Sequence, residues 1–310
     1  MSLQFIRPNL NIDFVGKRYI FVTLSTVINL AAIILLFTVG LNYGVDFAGG
    51  SVVQIEFSKP TDAQSIRAAL SPLNLGEATV QDFGGSGSDS FLVRLPKADH
   101  LESLGPSIGS RLAQAYGAGV ANVVRVESVG AKVGSDLRQK GFLAVIVATL
   151  FMGTFIAWQF RQVSWSLGVG AVIALIHDVL VVIGALVITQ LDFDLTTLAA
   201  LITVIGYSVH DTIIVSDRVR EDSAKRRRET LESMMNRAIN ETLSRTILTS
   251  GTVIAVLAAL LIFGGPILRP SAFTLFVGFI TGVYSTVYIA GPVVLFWEGR
   301  GGRGQVKRAA

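Results

Sequence analysis

The sequence of 310 residues contains no cysteine, only three histidines and few charged side chains. The absence of cysteine excludes disulfides and every cysteine-ligated metal or iron–sulfur site. Three histidines argue against a histidine-rich metal site. Charged residues make up 15% of the chain, against about 25% in an average soluble domain. This deficit, together with a mean hydropathy of +0.59, indicates a membrane protein.

Long apolar runs occur six times along the chain. A membrane-spanning helix needs about 20 predominantly apolar residues. The runs predicted to span the membrane are 19–39, 141–159, 163–189, 196–216, 246–263 and 271–297. The first run lacks a small-residue cleavage site at its end, so it is predicted to be a retained span and not a signal peptide. Short connections among the later runs predict a helical bundle.

Residues 41–140 follow a different pattern, in which short alternating apolar runs replace the long blocks. Alternation with period two is typical of half-buried strands. The predicted elements are a strand at 51–58, a helix at 62–70 capped by Thr61, strands at 78–82 and 90–95, a helix at 99–115 and a strand at 122–129. This order is that of a split βαβ, ferredoxin-like sandwich. The predicted fold is therefore an all-α six-helix membrane bundle with a small α+β domain between spans one and two.

Lysine and arginine are distributed unequally between the two sides of the predicted spans. Most of them lie in the N-terminal tail (1–18), at Arg161, in the basic segment 218–245 and in the C-terminal tail (298–310), whereas the opposite short loops contain Arg269. By the positive-inside rule both termini are predicted to be cytoplasmic and the α+β domain extracytoplasmic. Because residues 225–228 adjoin a membrane helix, this basic run is expected to set topology and contact anionic lipid, and not to bind nucleic acid.

Two aspartates lie inside predicted spans, each directly after a histidine. Asp178 follows His177 near the middle of the third span, and Asp211 follows His210 in the fourth. An aspartate at the bilayer centre costs about 2.5–3.5 kcal/mol on insertion scales, so such residues tend to mark ion pathways. The favoured interpretation is a protonatable pair in the bundle interior. The alternative is a pair of hydrogen-bonded carboxyls that merely join two helices.

The other polar residues of these spans also have two interpretations. Arg218 lies seven residues after Asp211 and hence on the same helix face, where it either belongs to the ion path or snorkels to the interface. His177 and His210 are either proton relays or local hydrogen-bonding groups. Adjacent helical residues point about 100° apart, which argues against a metal site built from the two His-Asp pairs. No phosphate-binding loop, GxSxG motif or catalytic triad occurs, so the sequence predicts neither an enzyme nor a cofactor.

Four segments combine into a specific pattern. Residues 44–51 contain Asp46, Phe47, Gly49 and Gly50 in an Asp-Phe-x-Gly-Gly motif. The others are residues 128–137 before the second span, the His-Asp pair of the third span, and residues 206–221 in the fourth span. With the six-span plan, these segments resemble the SecF proteins of the SecD/SecF family, within the resistance–nodulation–division (RND) superfamily. The resemblance covers nearly the whole chain, and residues 206–221 are its most specific part.

The resemblance implies half of a twelve-span unit whose other half is SecD. The pair would use the proton motive force to drive late steps of polypeptide translocation through the SecYEG channel of the inner membrane, with YajC and YidC as further partners. Asp178, Asp211 and Arg218 would then line or gate the ion path. His210 stands where the family commonly has Asn. It is either an added proton carrier or a polar replacement, and coupling to sodium stays open.

Two other functions fit parts of the pattern. A subunit of an RND-type small-molecule exporter would share the membrane architecture, but it would be expected to carry larger, paired extracytoplasmic domains. A passive membrane scaffold would need no titratable path. Replacement of Asp178 or Asp211 with Asn would separate the ion-coupled function from the scaffold.

Overall fold

The computed structural model describes residues 11–73, 75, 78–83, 89–95, 101–161, 163–225 and 229–300. Residues 1–10 and 301–310 of the predicted tails, the tract 84–88, residues 99–100 of the predicted helix and residues 226–228 of the basic run lie outside the described residues. The helices are α1 (Arg18–Thr38), α2 (Val45–Ala48), α3 (Ala63–Leu70), α4 (Leu101–Tyr116), α5 (Ala131–Gln159), α6 (Ser166–Thr189), α7 (Leu195–Lys225), α8 (Leu231–Phe263), α9 (Gly265–Ser285) and α10 (Gly291–Arg300). The strands are β1 (Gly50–Phe57), β2 (Thr79–Asp82), β3 (Ser90–Leu95) and β4 (Ala121–Val129).

Among the described residues, six helices are long and apolar enough to cross a membrane, as the sequence predicts. The sixth is composite, because α9 continues through a π-helical turn, Thr286–Ala290, into α10. Several helices extend beyond the apolar runs: α5 already begins at Ala131, α7 continues to Lys225 and α8 begins at Leu231. The basic segment 218–245 therefore consists largely of two helix ends. A helix satisfies its own backbone hydrogen bonds in polar sequence as well, so hydropathy marks the apolar part and not the helix ends.

The helices α6, α7 and α9 form the interior of the bundle, whereas α1, α5 and α8 expose most of their surface. Gly278 and Gly282, one helical turn apart, lie where α9 approaches α7. A Cβ atom at Gly278 would overlap the side chain of Val204, and one at Gly282 would lie 3.3 Å from the Cα of Ser208. Small residues of this kind let membrane helices pack closely. This close approach brings the polar residues of α9 within reach of α6 and α7.

The small domain is an antiparallel sheet with strand order β2-β3-β1-β4, and its two helices cover one face. Its strands and helices follow one another in the predicted order. Alternate residues of β1 and β3, Val53, Ile55 and Val93 among them, point to this face and are completely buried against Ile66 of α3 and Ile108 of α4. The domain thus has an apolar core separate from that of the bundle.

The first helix of this domain corrects the predicted cap. Asp62, and not Thr61, is the N-cap residue, so the helix begins at Ala63. The Asp62 carboxylate accepts hydrogen bonds from the Ser65 hydroxyl (2.6 Å) and the Ser65 backbone N–H (2.8 Å). These bonds, the one from the hydroxyl first, lower the pKa of the Asp62 carboxyl below its ordinary value. Thr and Asp both cap helices well, so two adjacent candidates are hard to separate by sequence.

Glycines make the connection between the bundle and the domain compact. Gly49 and Gly50 have φ angles of +76° and +109°, which residues with a Cβ atom rarely adopt. A Cβ atom on Gly49 would lie 2.7 Å from the Cα of Ala131, the first residue of α5. One on Gly134 would lie 3.0 Å from the Gly49 nitrogen. The two chain connections of the domain therefore pack directly on each other, which explains the Gly-Gly part of the sequence motif.

Replacement of Gly49 with Ala is expected to destabilise the protein by more than the same change at Gly119. Both glycines have a positive φ, +76° and +78°, so both variants incur a backbone penalty of about 1–3 kcal/mol. Only the Gly49 variant adds a clash with the α5 backbone, because no atom lies within 4 Å of a Cβ at Gly119. Thermal unfolding of the purified variants in detergent measures the difference. Equal midpoints would contradict this account of the motif.

Candidate functional site

Asp178 is buried at the centre of the bundle and is hydrogen-bonded to two neighbouring helices and to a residue of its own helix. Its side chain on α6 has 1% exposure. The Oδ2 atom accepts hydrogen bonds from Ser208 Oγ of α7 (2.6 Å) and Ser285 Oγ of α9 (2.8 Å). The Oδ1 atom lies 2.9 Å from Nδ1 of His177. The predicted residue is therefore in the bundle interior, and both of its oxygens have partners.

His177 lies beside Asp178 and is also buried. Its contact with Oδ1 requires a proton on Nδ1 or on the carboxyl, so the two groups can share one proton. The imidazole stacks on the ring of Tyr284, with centroids 5.8 Å apart. The Tyr284 hydroxyl in turn lies 2.8 Å from Ser25 Oγ of α1. A chain of contacts, two polar and one a ring stack, therefore extends from Asp178 to α1.

Asp211 of α7 is equally buried, but its carboxyl is only half satisfied. Ser250 Oγ of α8 donates a long hydrogen bond, 3.3 Å, to Oδ2. Within the part of the chain that the structure describes, Oδ1 is buried and has no hydrogen-bond partner. The Ser250 hydroxyl also contacts the Tyr207 hydroxyl at 2.9 Å. A buried polar atom without a partner is costly, and this oxygen is available to bind a proton or another small cation.

The two aspartates are connected through α7. Ser208, which donates to Asp178, lies one helical turn before Asp211, so the same helix contributes to both sites. Thr212, next to Asp211, lies 3.1 Å from Thr286 of the π-helical turn, measured between the hydroxyl oxygens. Single π turns inside α-helices are often found at functional sites. Among the described residues, no group of three or more His, Asp or Glu side chains could hold a metal ion.

Arg218 lies at the mouth of a cleft between α7 and α8. Its guanidinium pairs with Glu241 of α8 and with Glu221 one turn further along α7. The cleft has a volume of about 420 Å³ and is open to the surface. The residues that line it are Ile214, Asp217, Arg218, Glu221, Glu241, Thr242 and Arg245. The predicted Arg218 is thus part of a charged network below Asp211 and not an isolated interfacial cation.

The structure separates the two histidines. His210 is exposed on the outer surface of α7, together with Thr203 and Gly206, while its neighbour Asp211 points inward. No atom lies within 4 Å of a Cβ built on Gly206. His177 is therefore positioned next to a buried carboxylate, whereas His210 belongs to an outward-facing polar stripe.

The Asp-Phe-x-Gly-Gly motif holds the start of α7. Oδ2 of Asp46 accepts a hydrogen bond from the backbone N–H of Leu195, the first residue of that helix (3.0 Å). Phe47 is buried and stacks on Phe193 of the α6–α7 connection, with centroids 5.5 Å apart. An acidic group at a helix N-terminus is stabilised by the helix dipole. The motif therefore anchors the helix that carries Asp211.

Several residues of the site were not predicted. Ser250 and Ser285 donate to the two aspartates, and Glu241 pairs with Arg218. Serines are common inside apolar helices, so their partners depend on which helices pack together. The sequence contains no periodic signal for that packing.

Comparison with known proteins places these features in a family. The family model "Protein export membrane protein SecD/SecF, C-terminal" matches residues 108–300, and "SecD/SecF GG Motif" matches residues 34–61. The chain is 40% identical to "Protein translocase subunit SecF" of Calditerrivibrio nitroreducens, covering 94% of this chain and 96% of the relative. It is 37% identical to the protein of the same name from Escherichia coli O157:H7, covering 91% and 87%.

A solved structure has the same architecture. The crystal structure of SecDF, described as a translocon-associated membrane protein from Thermus thermophilus, superposes with a TM-score of 0.82 at 31% sequence identity. The match covers 97% of this chain but only 40% of the SecDF chain, so this chain corresponds to less than half of that protein. All three comparisons, by family model, by sequence identity and by superposition, indicate the same family. The chain belongs to the SecD/SecF family of protein-export membrane proteins, on the SecF side of that family.

Proposed function

We propose that this chain is the SecF-type accessory subunit of the Sec protein-export translocase and that, with a SecD partner, it uses the proton motive force to drive late steps of polypeptide translocation. The relatives are named as translocase subunits. The observation that carries the ion-coupled part is the pair of buried aspartates in the bundle interior. Both oxygens of Asp178 have partners, whereas one oxygen of Asp211 has none among the described residues.

The different environments of the two aspartates support a proton path. Ser208 and Ser285 hold Asp178 in one orientation, and His177 is the neighbour with which it would exchange a proton. Asp211 has one weak donor, so binding and release of a proton there need little rearrangement. Ionisable groups that face a bundle interior are typical of proton relays in membrane transport. The Arg218 cleft begins at Ile214, one helical turn after Asp211, and we propose it as the route from Asp211 to the protein surface.

The exposed stripe on α7 supports a partner within the membrane. Thr203, Gly206 and His210 lie on a surface that would otherwise face lipid. Polar residues are costly there, and glycine allows a neighbouring helix to approach closely. We propose that a SecD-like chain covers this surface, in line with the name SecDF of the longer neighbour, and that the pair associates with the Sec translocon.

The location and orientation of the chain follow from the same proposal. We propose a multi-pass inner-membrane protein with both termini in the cytoplasm and the sheet domain on the opposite side. The strand order β2-β3-β1-β4 and the antiparallel neighbours support a ferredoxin-like sandwich for this domain. The distribution of Lys and Arg supports the orientation, and the Arg218 cleft then opens to the cytoplasm.

Replacement of Asp178 or Asp211 with Asn is expected to reduce proton-driven polypeptide export by about tenfold or more, because an amide cannot exchange a proton as a carboxyl does. Export is measured in inverted vesicles that contain the chain and its SecD partner, with and without a proton gradient. The control is Asp82→Asn, which changes an exposed aspartate of β2 and should leave export unchanged. Full gradient-dependent export in both buried-site variants would favour the passive scaffold.

The orientation is testable because the sequence contains no cysteine. A cysteine introduced at the exposed Ala115 of α4 should react with a membrane-impermeant maleimide added outside intact cells. A cysteine at the exposed Lys225, at the end of α7, should react only after the cells are opened. Labelling of the two sites in the reverse order would contradict the proposed orientation.

A further inference from the structure

One ion pair joins the sheet domain to the connection between the two aspartate-bearing helices. Arg94 of β3 donates to Oδ2 of Asp192, which lies in residues 190–194 between α6 and α7. Arg94 belongs to the face of the sheet that is not covered by α3 and α4 and that faces the bundle. The ion-path proposal makes no use of either residue.

Asp192 is fixed to the rest of the α6–α7 connection. Its Oδ1 atom accepts a hydrogen bond from Nδ2 of Asn42 (2.8 Å), which also donates to the Gln190 carbonyl (2.9 Å). The backbone N–H of Phe193 donates to the Asn42 carbonyl (2.8 Å), and the Gly44 N–H donates to the Phe193 carbonyl (3.0 Å). Movement of this connection therefore moves the acceptor of Arg94 with it.

The connection links the two parts of the proposed ion site. α6 ends at Thr189 and carries Asp178, and α7 begins at Leu195 and carries Asp211. At 1.5 Å per residue, each aspartate lies along a stiff helix about 20–25 Å from Asp192. A tilt or shift of α6 relative to α7 on proton binding would therefore displace Asp192.

The position of Arg94 in the sheet makes it a suitable second attachment point. Both covalent connections leave the domain at the paired residues Gly50 of β1 and Val129 of β4. These connections pack together at Gly49, so rotation of the domain relative to the bundle would take place about this point. β3 lies on the side of β1 away from β4, and Arg94 pairs with Val52, two residues from Gly50. A force at Arg94 therefore acts about one strand spacing, roughly 5 Å, to the side of this pivot.

The surroundings of the ion pair allow it to change partners. A cleft of about 100 Å³ separates the sheet from the bundle, and the carboxylates of Asp46 and Asp194 line it together with Asp192. The Arg94 side chain is 19% exposed and that of Asp192 is 30% exposed, and ion pairs that water reaches are weak enough to break. The Nε atom of Arg94 is buried and has no hydrogen-bond partner among the described residues.

We propose that the Arg94–Asp192 ion pair transmits movement between the α6–α7 connection and the sheet domain. Arg94 and Asp192 are positioning residues that act through the domain and do not carry the ion. This inference rests on the proposed function. It adds the contact by which a change at Asp178 or Asp211 reaches the part of the chain outside the membrane.

The test measures the position of the domain and export separately. Spin labels at Ala115→Cys in α4 and Ile188→Cys at the exposed end of α6 report the distance between domain and bundle in the full chain with its SecD partner. Arg94→Gln and Asp192→Asn should each broaden the distance distribution and lower proton-driven export roughly two- to fivefold, the range that a partly exposed ion pair supports. The double variant should be no worse than either single variant.

Two further variants separate coupling from misfolding. Arg94→Lys keeps the charge and should retain a narrow distance distribution and most of the export. Arg125→Gln removes an arginine of the same sheet that pairs with Glu127 in its own strand, and it should change neither measurement.

An unchanged distance distribution in Arg94→Gln, or normal export with a broadened one, would overturn the inference. Equal losses in Arg125→Gln would do the same. These results are distinguishable from failure of the proposed function, which would show as normal export in Asp178→Asn and Asp211→Asn whatever the distance distribution.

Discussion

The packing of the bundle depends on supplying hydrogen-bond donors to a carboxyl group that is buried among apolar helices. A bilayer supplies no hydrogen-bond donors, so donors for Asp178 must come from neighbouring helices. Ser208 and Ser285 provide them, and this requires α7 and α9 to lie close to each other and to α6. Gly278 and Gly282 make that approach possible, because side chains there would meet Val204 and Ser208. The packing of the three interior helices and the hydrogen bonds of one buried carboxyl are therefore parts of the same arrangement.

Asp211 differs from Asp178, because its carboxyl has one long hydrogen bond and one oxygen without a partner among the described residues. A site in which every polar atom is hydrogen-bonded is rigid. A buried oxygen without a partner is costly, and binding a proton or another donor lowers that cost. α7 carries Asp211 and also Ser208, which donates a hydrogen bond to Asp178. Movement of α7 at one aspartate therefore changes the contacts of the other. The start of this helix is held by Asp46 of the glycine motif, and the connection before it is bonded to Asn42 and Arg94. The two buried aspartates and the sheet domain are thus joined through one helix and its N-terminal connection.

Sequence patterns predicted the elements well where one physical effect dominates. Hydropathy identified the six candidate spans that the described residues contain, because crossing a bilayer requires length and apolar composition together. The helix ends were missed, since α5, α7 and α8 continue into polar sequence. Thr61 was predicted as a cap and Asp62 is the cap, because both side chains can accept the required hydrogen bond. The sequence could not distinguish the environments of the two histidines either. Each precedes an aspartate, yet His177 is buried and His210 is exposed, because the side of a helix that faces the interior depends on the neighbouring helices.

The amino-acid sequence by itself determined the number of membrane helices, the order of strands and helices in the small domain, and the presence of two aspartates within apolar spans. These follow from local composition and periodicity, which each segment carries independently of the rest. Only the tertiary structure decided that Ser208 and Ser285 converge on Asp178, that Asp211 keeps one oxygen without a partner among the described residues, and that Arg94 meets Asp192. Each of these contacts joins residues far apart in the chain, and their meeting depends on how helices pack and how the sheet sits above them, which no local pattern encodes.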